Sequence, residues 1–105
     1  MTAAARTPED LDTLIEDACL QRDRALLDNL FHDAAVLATP SGVVVHGREA
    51  VGDMLVDRTY LAARGKRVLQ VRNTALVVVA AGVHVLGRDD DGTWRAAISF
   101  LDLPV

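Results

Sequence analysis

The sequence predicts an α+β domain in which three N-terminal helices pack on a β-sheet. Between residues 8 and 31, apolar side chains recur every three or four positions, which is the spacing of amphipathic helices. A Pro40-Ser41-Gly42 turn then separates two short apolar stretches. The second half is rich in valine and is interrupted by the turn sequence Asp89-Asp90-Asp91-Gly92. Helices followed by a run of strands are typical of the α+β class.

The first two helices have clear start signals. Thr7 is placed to accept a hydrogen bond from the first turn, and Pro8 suits the first helical position. Asp23 can cap a second helix in the same way. The predicted buried residues of these two helices are Leu11, Leu14, Ile15, Ala18, Leu26, Leu27, Leu30 and Phe31.

A hairpin and a third helix follow. Strands are predicted over residues 34–38 and 43–45, on either side of the proline turn. The third helix begins near Gly47 and buries Val51 together with Met54 or Leu55. Gly65 is the predicted stop of this helix, because glycine readily adopts the left-handed conformation that ends helices.

The remaining strands are predicted over residues 67–72, 74–87 and 93–103. The run from Leu76 to Val83 does not alternate between apolar and polar residues, as a strand with one solvated face would. Both faces of this strand therefore need a cover, and the helices can cover only one. We predict a homodimer that forms through the other face of the sheet; the alternative is that loops of the same chain cover this strand.

Composition excludes several classes of function. A chain of 105 residues forms one domain, with residues 1–7 as a flexible tail and residues 8–105 as the folded unit. The net charge of −4 and the absence of a basic face argue against nucleic-acid binding, and no apolar run is long enough to cross a membrane. Cys19 is the single cysteine and no leader is recognised, so we expect a cytoplasmic protein. Ten arginines against one lysine are typical of a GC-rich bacterial genome.

Four motifs in this order resemble the nuclear transport factor 2-like superfamily, which includes ketosteroid isomerase-like and SnoaL-like proteins with a cystatin-like fold. The motifs are the helix end Leu30-Phe31, the hairpin, Gly47-Arg48-Glu49-Ala50 and Asp91-Gly92-Thr93-Trp94-Arg95. The resemblance spans Pro8 to Leu103. It implies a curved, mostly antiparallel sheet wrapped as a cone around a pocket, and it favours a homodimer.

Ketosteroid isomerase chemistry requires a carboxylate base, a tyrosine and a neutral acid. By the resemblance, these roles fall on Thr39, Ile15 and His84. A threonine hydroxyl cannot act as a base at neutral pH, and isoleucine offers no hydrogen-bond donor. Two of the three roles are therefore missing, and steroid isomerisation is not expected.

His84 is the candidate catalytic residue. It lies in an apolar strand on the same face as Leu86, and the resemblance turns that face toward the pocket. Burial disfavours the charged ring, so its pKa should lie below the usual value of about 6.5. A neutral imidazole can act as a general acid or base. The alternative is a core histidine bonded to a backbone carbonyl.

By the resemblance, the last strand contributes a pocket wall that includes Trp94 and Phe100, although a plain core wall would have the same sequence. The full predicted pocket comprises Ile15, Thr39, Leu55, His84, Leu86, Trp94, Ala96, Ile98 and Phe100. The three histidines lack the spacing of a zinc motif, and the turn Asp89-Asp90-Asp91-Gly92 lacks the ligand pattern of an EF-hand. No metal and no cofactor are predicted.

Two classes of function remain open. The first is a non-catalytic protein with an apolar pocket for a small organic molecule, assembled as a homodimer. The second is an isomerase, dehydratase or hydrolase that uses His84 as general acid or base. The absent aspartate and tyrosine equivalents favour the first class, and the sequence leaves open whether the chain is an enzyme.

Overall fold

A computed structural model describes residues 3–62 and 64–103 of the chain. Three helices pack on a sheet, as predicted, and the sheet has six strands where five were predicted. The helices are α1 (Pro8–Gln21), α2 (Arg24–Asn29) and α3 (Arg48–Leu55). The strands are β1 (Phe31–Ala38), β2 (Val44–His46), β3 (Arg67–Val71), β4 (Thr74–Val78), β5 (Gly82–Arg88) and β6 (Trp94–Leu101).

The sheet has the order β2-β1-β6-β5-β4-β3 and is mostly antiparallel. Only β1 and β6 run parallel among these neighbours, and they bring the first and last strands together at the centre. Helices α1 and α2 pack against the inner face through Leu11, Ile15 and Leu27, which are fully buried. The α+β class with helices on one face of an antiparallel sheet is confirmed.

The helix starts follow their local signals. Thr7 Oγ1 accepts a hydrogen bond from the backbone N–H of Asp10 at 3.3 Å, and Pro8 is the first residue of α1. Asp23 accepts from the N–H of Leu26 at 3.0 Å and caps α2. Both caps confirm the predicted boundaries, because capping depends only on residues within one turn of the helix.

Helix α3 is shorter than predicted. It begins after Gly47 as expected but ends at Leu55, ten residues before the predicted stop at Gly65. The chain then continues as an irregular segment, and Tyr60 turns inward and is only 2% exposed. Long-range contacts of this tyrosine, described below, replace the helix that the local sequence favours.

The predicted strand over residues 74–87 is wrong, because it is two strands joined by a tight turn. Val79 and Gly82 exchange backbone hydrogen bonds of 2.8 and 3.3 Å around Ala80 and Ala81. Gly82 has a φ of 155°, and a Cβ atom there would lie 2.0 Å from the carbonyl oxygen of Phe100. Only glycine fits this close approach of two backbones.

A β-bulge in β6 reverses the predicted faces of its second half. Val85 pairs with Ile98, whereas Leu86 pairs with Ala96, so one extra residue lies in β6. Side chains alternate strictly along a strand, and one inserted residue moves all later ones to the opposite face. Ile98 and Phe100 were predicted to line the pocket, but they lie on the outer face and are 55% and 50% exposed. Ser99 lies inside instead and is buried.

The predicted flexible tail is partly ordered. Ala5 is fully buried and accepts a 2.8 Å hydrogen bond from the backbone N–H of Trp94, which forms a bridge to the sheet. Met1, Thr2 and the last two residues of the predicted domain lie outside the described residues. In the described part of the chain, no helix has the length and apolar character needed to cross a membrane.

The two faces of the sheet differ. The inner face carries buried side chains against the helices, among them Ala75, Val77, Leu86 and Ala96. The outer face carries apolar side chains that the three helices do not cover. We define this outer patch as Leu69, Val71, Leu76, Val78, Val83, Val85, Ile98 and Phe100, of which Leu69 and Val71 are the most exposed, at 70% and 74%.

Candidate functional site: a buried polar chain

The structure places most of the predicted pocket residues in the core. His84, Ile15, Leu55, Leu86, Trp94 and Ala96 are all buried, and His84 points inward as predicted. Thr39 lies instead beside the β1–β2 turn, where its hydroxyl is 2.8 Å from that of Ser41. Together with the outward-facing Ile98 and Phe100, it is a predicted pocket residue that the structure does not bring to His84.

His84 is linked by hydrogen bonds to three other buried polar side chains. The Nε2 atom of His84 lies 2.9 Å from the hydroxyl oxygen of Tyr60, and its Nδ1 atom lies 2.6 Å from Oγ of Ser99. The Tyr60 hydroxyl also lies 2.5 Å from Oδ1 of Asp12. Asp12 and His84 are fully buried, and Tyr60 and Ser99 are nearly so. The result is a continuous chain of hydrogen bonds from helix α1 to strand β6.

The direction of this chain follows from which groups can donate. A carboxylate only accepts, so the Tyr60 hydroxyl gives its single proton to Asp12. The Tyr60 oxygen can then only accept from His84, which places the ring proton on Nε2. The remaining nitrogen, Nδ1, is the acceptor for the hydroxyl of Ser99. The chain therefore runs from Ser99 through His84 and Tyr60 to Asp12.

Burial fixes the protonation of the two central groups. Loss of solvation lowers the pKa of His84 to about 4, although the negative charge of Asp12 partly opposes that shift. Burial, followed by the hydrogen bond to Asp12, raises the pKa of Tyr60 far above its usual value. At neutral pH the imidazole and the phenol are therefore both neutral, as the direction of the hydrogen-bond chain requires.

Lys66 supplies the positive charge at the surface end of the chain. Its Nζ lies 3.5 Å from Oδ2 of Asp12, and it also donates to the carbonyl of Glu9 at 3.0 Å and to Oγ1 of Thr13 at 3.2 Å. The lysine side chain is only 14% exposed. This ion pair compensates part of the cost of burying the Asp12 carboxylate.

Sequence reasoning found His84 but missed its partners. Asp12 had a usable signal, since it lies on the same helical stripe as Ile15 and Cys19, which are buried three and seven residues later. A charged residue on an apolar stripe indicates a buried partner. Ser99 had no such signal in the sequence, because the face on which it lies depends on the bulge in β6. Tyr60 had no such signal either, because it lies in an irregular segment.

Open clefts flank the segment that carries Tyr60. One cleft of about 240 Å³ is lined by Cys19, Leu20, Arg22 and residues 56–61. A second, of about 160 Å³, lies beyond Thr59 and Leu61 and is bounded by Ala80, Ala81 and Asp102. His84 lines neither cleft, because the tyrosine ring lies between the imidazole and the surface.

Across residues 3–62 and 64–103, no three His, Cys, Asp or Glu side chains are grouped closely enough to hold a metal ion. In the acidic turn after β5, Asp89 pairs with Arg95 and the Asp91 carboxylate is bonded to Thr93. Oδ1 of Asp91 accepts from the backbone N–H of Thr93 at 3.0 Å and from its hydroxyl at 2.6 Å.

The Cys19 thiol donates to the carbonyl of Leu55 at 3.4 Å, and burial raises its pKa to about 11.

Comparison with solved structures identifies the fold. An NTF2-like protein from Cytophaga hutchinsonii superposes with a TM-score of 0.73 at 16% identity, over 90% of this chain and 93% of that one. A ketosteroid isomerase-like protein from Erwinia carotovora atroseptica gives 0.70 at 16% identity, over 92% and 93%. A protein with a cystatin-like fold from Caulobacter vibrioides gives 0.73 at 12%, over 91% and 86%.

The chain therefore has the NTF2-like, or cystatin-like, fold that the sequence motifs predicted. At this level of identity the likeness concerns the fold and not the activity. No family model matches the chain, and no curated protein does. What the protein does has to be argued from its own residues.

Proposed function

We propose that this protein is a cytoplasmic homodimer that binds a small neutral organic molecule between its helices and the inner face of its sheet. The observation that carries the proposal is the buried chain from Ser99 to Asp12. Burying a carboxylate and an imidazole costs free energy, which an apolar core of the same volume would avoid. A few convergent polar groups within apolar walls are also what orients a ligand in a binding site.

The walls around the polar chain are hydrocarbon. Ile15 and Leu55 on the helices and Leu86 and Ala96 on the sheet belong to the buried apolar core, and each is almost fully buried. Such walls favour an uncharged ligand, because a charge would lose its hydration without gaining a partner. The free thiol of Cys19 supports the cytoplasmic assignment, since an unpaired cysteine persists reduced in that compartment.

Nuclear magnetic resonance tests the interior site. The uniformly labelled protein is titrated with toluene, cyclohexanone and 4-methylphenol, each on its own. We expect saturable shifts at Ile15, Leu55 and the His84 ring for at least one of these probes. Shifts confined to the outer patch, or none, would refute an interior site. Ile98→Asp serves as a matched control, because it changes the outer face and leaves the inner one intact.

The outer patch supports the proposed dimer. Its members lie directly beside one another across four strands, since Leu69 pairs with Leu76, which pairs with Val85, which pairs with Ile98. Contiguous exposed apolar surface of this extent is characteristic of an interaction site. The chain has no further described element to cover the patch, so a second copy packed face to face would bury the same residues on both sides.

An acid–base enzyme is the second candidate, and one distance favours it. Ser99 donates to Nδ1 of His84 at 2.6 Å, so the imidazole can accept the serine proton while Tyr60 and Asp12 hold the opposite side of the ring. A positioned base of this kind contributes typically ~10²-fold or more to proton transfer. It would serve the isomerase, dehydratase or hydrolase reactions that the sequence left open.

Deuterium exchange tests this second candidate. Cyclohexanone exchanges its α-hydrogens with D₂O when a base is placed beside them. The wild-type protein should accelerate the exchange, and His84→Gln should reduce the acceleration at least ~100-fold. His32→Gln is the control, because His32 is exposed and lies on β1, outside the buried polar chain. Equal exchange by both variants would remove His84 as a catalytic base.

A further inference from the structure

Strand β3 lies at one edge of the sheet, and among the described residues it pairs with β4 alone. Val71 and Thr74 lie opposite each other across a two-residue turn, which makes them a hydrogen-bonded pair. Bonded and non-bonded pairs alternate along antiparallel strands, so the N–H and C=O groups of Val68 and Gln70 point away from β4. The free edge of β3 therefore presents two backbone donors and two backbone acceptors.

The middle of this edge lacks several features that commonly prevent strand addition. Natural edge strands are often protected by prolines, bulges or inward-pointing charges. Strand β3 contains no proline and pairs with β4 in unbroken register over all five residues. Four of these residues are exposed, among them Leu69 and Val71, which share one face. An added strand would cover these two side chains with apolar side chains at its own alternate positions.

The edge lies in a cationic part of the chain. From Arg58 to Arg88 the sequence contains six of the eleven arginine and lysine residues and none of the fifteen aspartates and glutamates. Arg67 and Arg72 flank the free backbone groups, and no described carboxylate forms an ion pair with either of them. Arg72 has a φ of 52°, which asparagine or glycine adopts with less strain. The edge therefore favours a partner with carboxylates at both ends.

This charge selects among the possible occupants. Antiparallel pairing with β3 of a second copy would place the arginines of both copies along one pair of strands, with no carboxylate between them. A nucleic acid would match the arginines. Its phosphate oxygens only accept hydrogen bonds, however, so they would leave the C=O groups of Val68 and Gln70 without donors. An acidic polypeptide satisfies both the charges and the backbone groups.

We propose that the free edge of β3 is a docking site for an extended acidic segment of another protein, which adds to the sheet as a further strand. Its backbone bonds to Val68 and Gln70, and its apolar side chains lie beside Leu69 and Val71. Its carboxylates are about five residues apart, as the flanking arginines are. The free backbone groups lie in the plane of the sheet, so this edge stays open when a second copy covers the outer patch.

Three synthetic peptides test the proposal, with binding followed by nuclear magnetic resonance of the labelled full-length protein. The first is acetyl-Glu-Glu-Val-Thr-Val-Thr-Glu-Glu-amide. The second has lysine in place of each glutamate, and the third carries N-methyl groups on its four central residues and so lacks their backbone donors. We expect the first peptide to bind at least ~10-fold more tightly than either of the others, because only it offers both the charge and the strand.

Two pairs of variants locate the site. Gln70→Pro removes the free N–H without touching a bond to β4, and it should weaken binding of the acidic peptide at least ~10-fold. Gln70→Ala is its matched control and should stay within ~2-fold, since both variants lose the side-chain bond to the carbonyl of Arg72. Arg67→Gln should weaken binding at least ~3-fold, whereas Arg22→Gln, on an exposed arginine at the end of α1, should not.

Each other outcome contradicts a stated part of the proposal. No binding of the acidic peptide, or equal binding of the N-methylated one, would refute strand addition. Equal binding of the lysine peptide would refute the acidic selection. A single-stranded oligonucleotide that binds more tightly than the acidic peptide would assign the edge to nucleic acid. Should Gln70→Pro not fold, amide exchange in the wild type decides: the peptide should slow exchange at Val68 and Gln70 at least ~10-fold, and unchanged rates would refute the proposal.

Discussion

The inner and outer faces of this sheet are formed by the same strands, but their side chains depart from the usual pattern in opposite ways. The inner face is sealed by helices and still contains polar groups, namely His84 and Ser99. The outer face is exposed and is largely apolar. Ile98 and Phe100, which flank Ser99 along β6, lie on this outer face. Each face thus departs from the usual placement of polar groups outside and apolar groups inside. The buried polar groups support the proposed ligand inside, and the exposed apolar patch supports the proposed second subunit outside.

Removal of the Asp12 carboxylate should be the most damaging change to the inner face. Asp12→Ala leaves the buried Tyr60 hydroxyl without its acceptor and Lys66 without its counter-charge. We expect a loss of about 3 kcal/mol in the free energy of unfolding, measured by urea denaturation.

Two further variants make this measurement specific. Asp12→Asn keeps an acceptor oxygen for Tyr60 and should cost less than the alanine variant. Asp10→Ala removes an exposed carboxylate from the same helix and should cost about 0.5 kcal/mol at most. If Asp12→Ala were no worse than Asp10→Ala, the polar chain would contribute nothing to stability.

A charge on the outer face should abolish the proposed dimer. Ile98→Asp places a carboxylate on the β6 side of the outer patch, where it would be desolvated in the proposed dimer. We expect the dissociation constant, measured by sedimentation, to rise at least ~100-fold, or about 2.7 kcal/mol. Leu20→Asp is the control, because Leu20 is equally apolar and 74% exposed but lies on helix α1. A wild-type protein that sediments as a monomer at micromolar concentration would disprove the dimer.

Acidification should lower the free energy of unfolding through protonation of His84. The folded protein depresses the pKa of this ring from 6.5 to about 4, so the unfolded chain binds more protons between these values. Stability that is fully present above pH 6.5 is therefore lost as the pH falls toward 4, by at most about 1.4 kcal/mol per pH unit.

The histidine contribution is isolated by difference, since carboxylates titrate in part of the same range. The slope of unfolding free energy against pH should be smaller in His84→Gln than in the wild type. His32→Gln, which replaces an exposed histidine, should keep the wild-type slope. Identical slopes in all three proteins would show that His84 is already protonated or is not buried in solution.

Loss of the Ser99 hydroxyl should have the smallest effect. Ser99→Ala removes one neutral hydrogen bond and leaves Nδ1 of His84 as an unpaired acceptor. The expected cost is about 1 kcal/mol, and it should be read from urea denaturation beside the Asp12 variants. An unchanged stability would mean that Nδ1 finds another donor, and the direction of the chain assigned above would then need revision.

The elements that the sequence predicted well are those with local signals. Thr7 and Asp23 cap helices within one turn, and the turns at Pro40 and Gly92 use residues that favour tight bends. The turn at Ala80-Ala81 was missed because alanine carries no turn preference, and only the contact of Gly82 with Phe100 explains it. The inward position of His84 was predicted from the resemblance, and simple alternation within β5 places Leu86 on the same buried face.

The candidate site was only partly accessible from the sequence. His84 was identified, whereas Asp12, Tyr60 and Ser99 come from a helix, an irregular segment and a strand that are distant along the chain. Their meeting depends on how α1 docks on the sheet and where β6 bulges. The predicted pocket therefore included Ile98 and Phe100, which one inserted residue turns to the other face.

The sequence alone determined the helix starts that caps define, the regions that form strands and the class of fold, because these depend on interactions within a few residues or on the period of apolar side chains. The tertiary structure decided which side chains meet at His84, where α3 stops and which face of β6 is buried. Those features depend on contacts between residues far apart in the chain, whose free energies exceed the weak local preferences that oppose them.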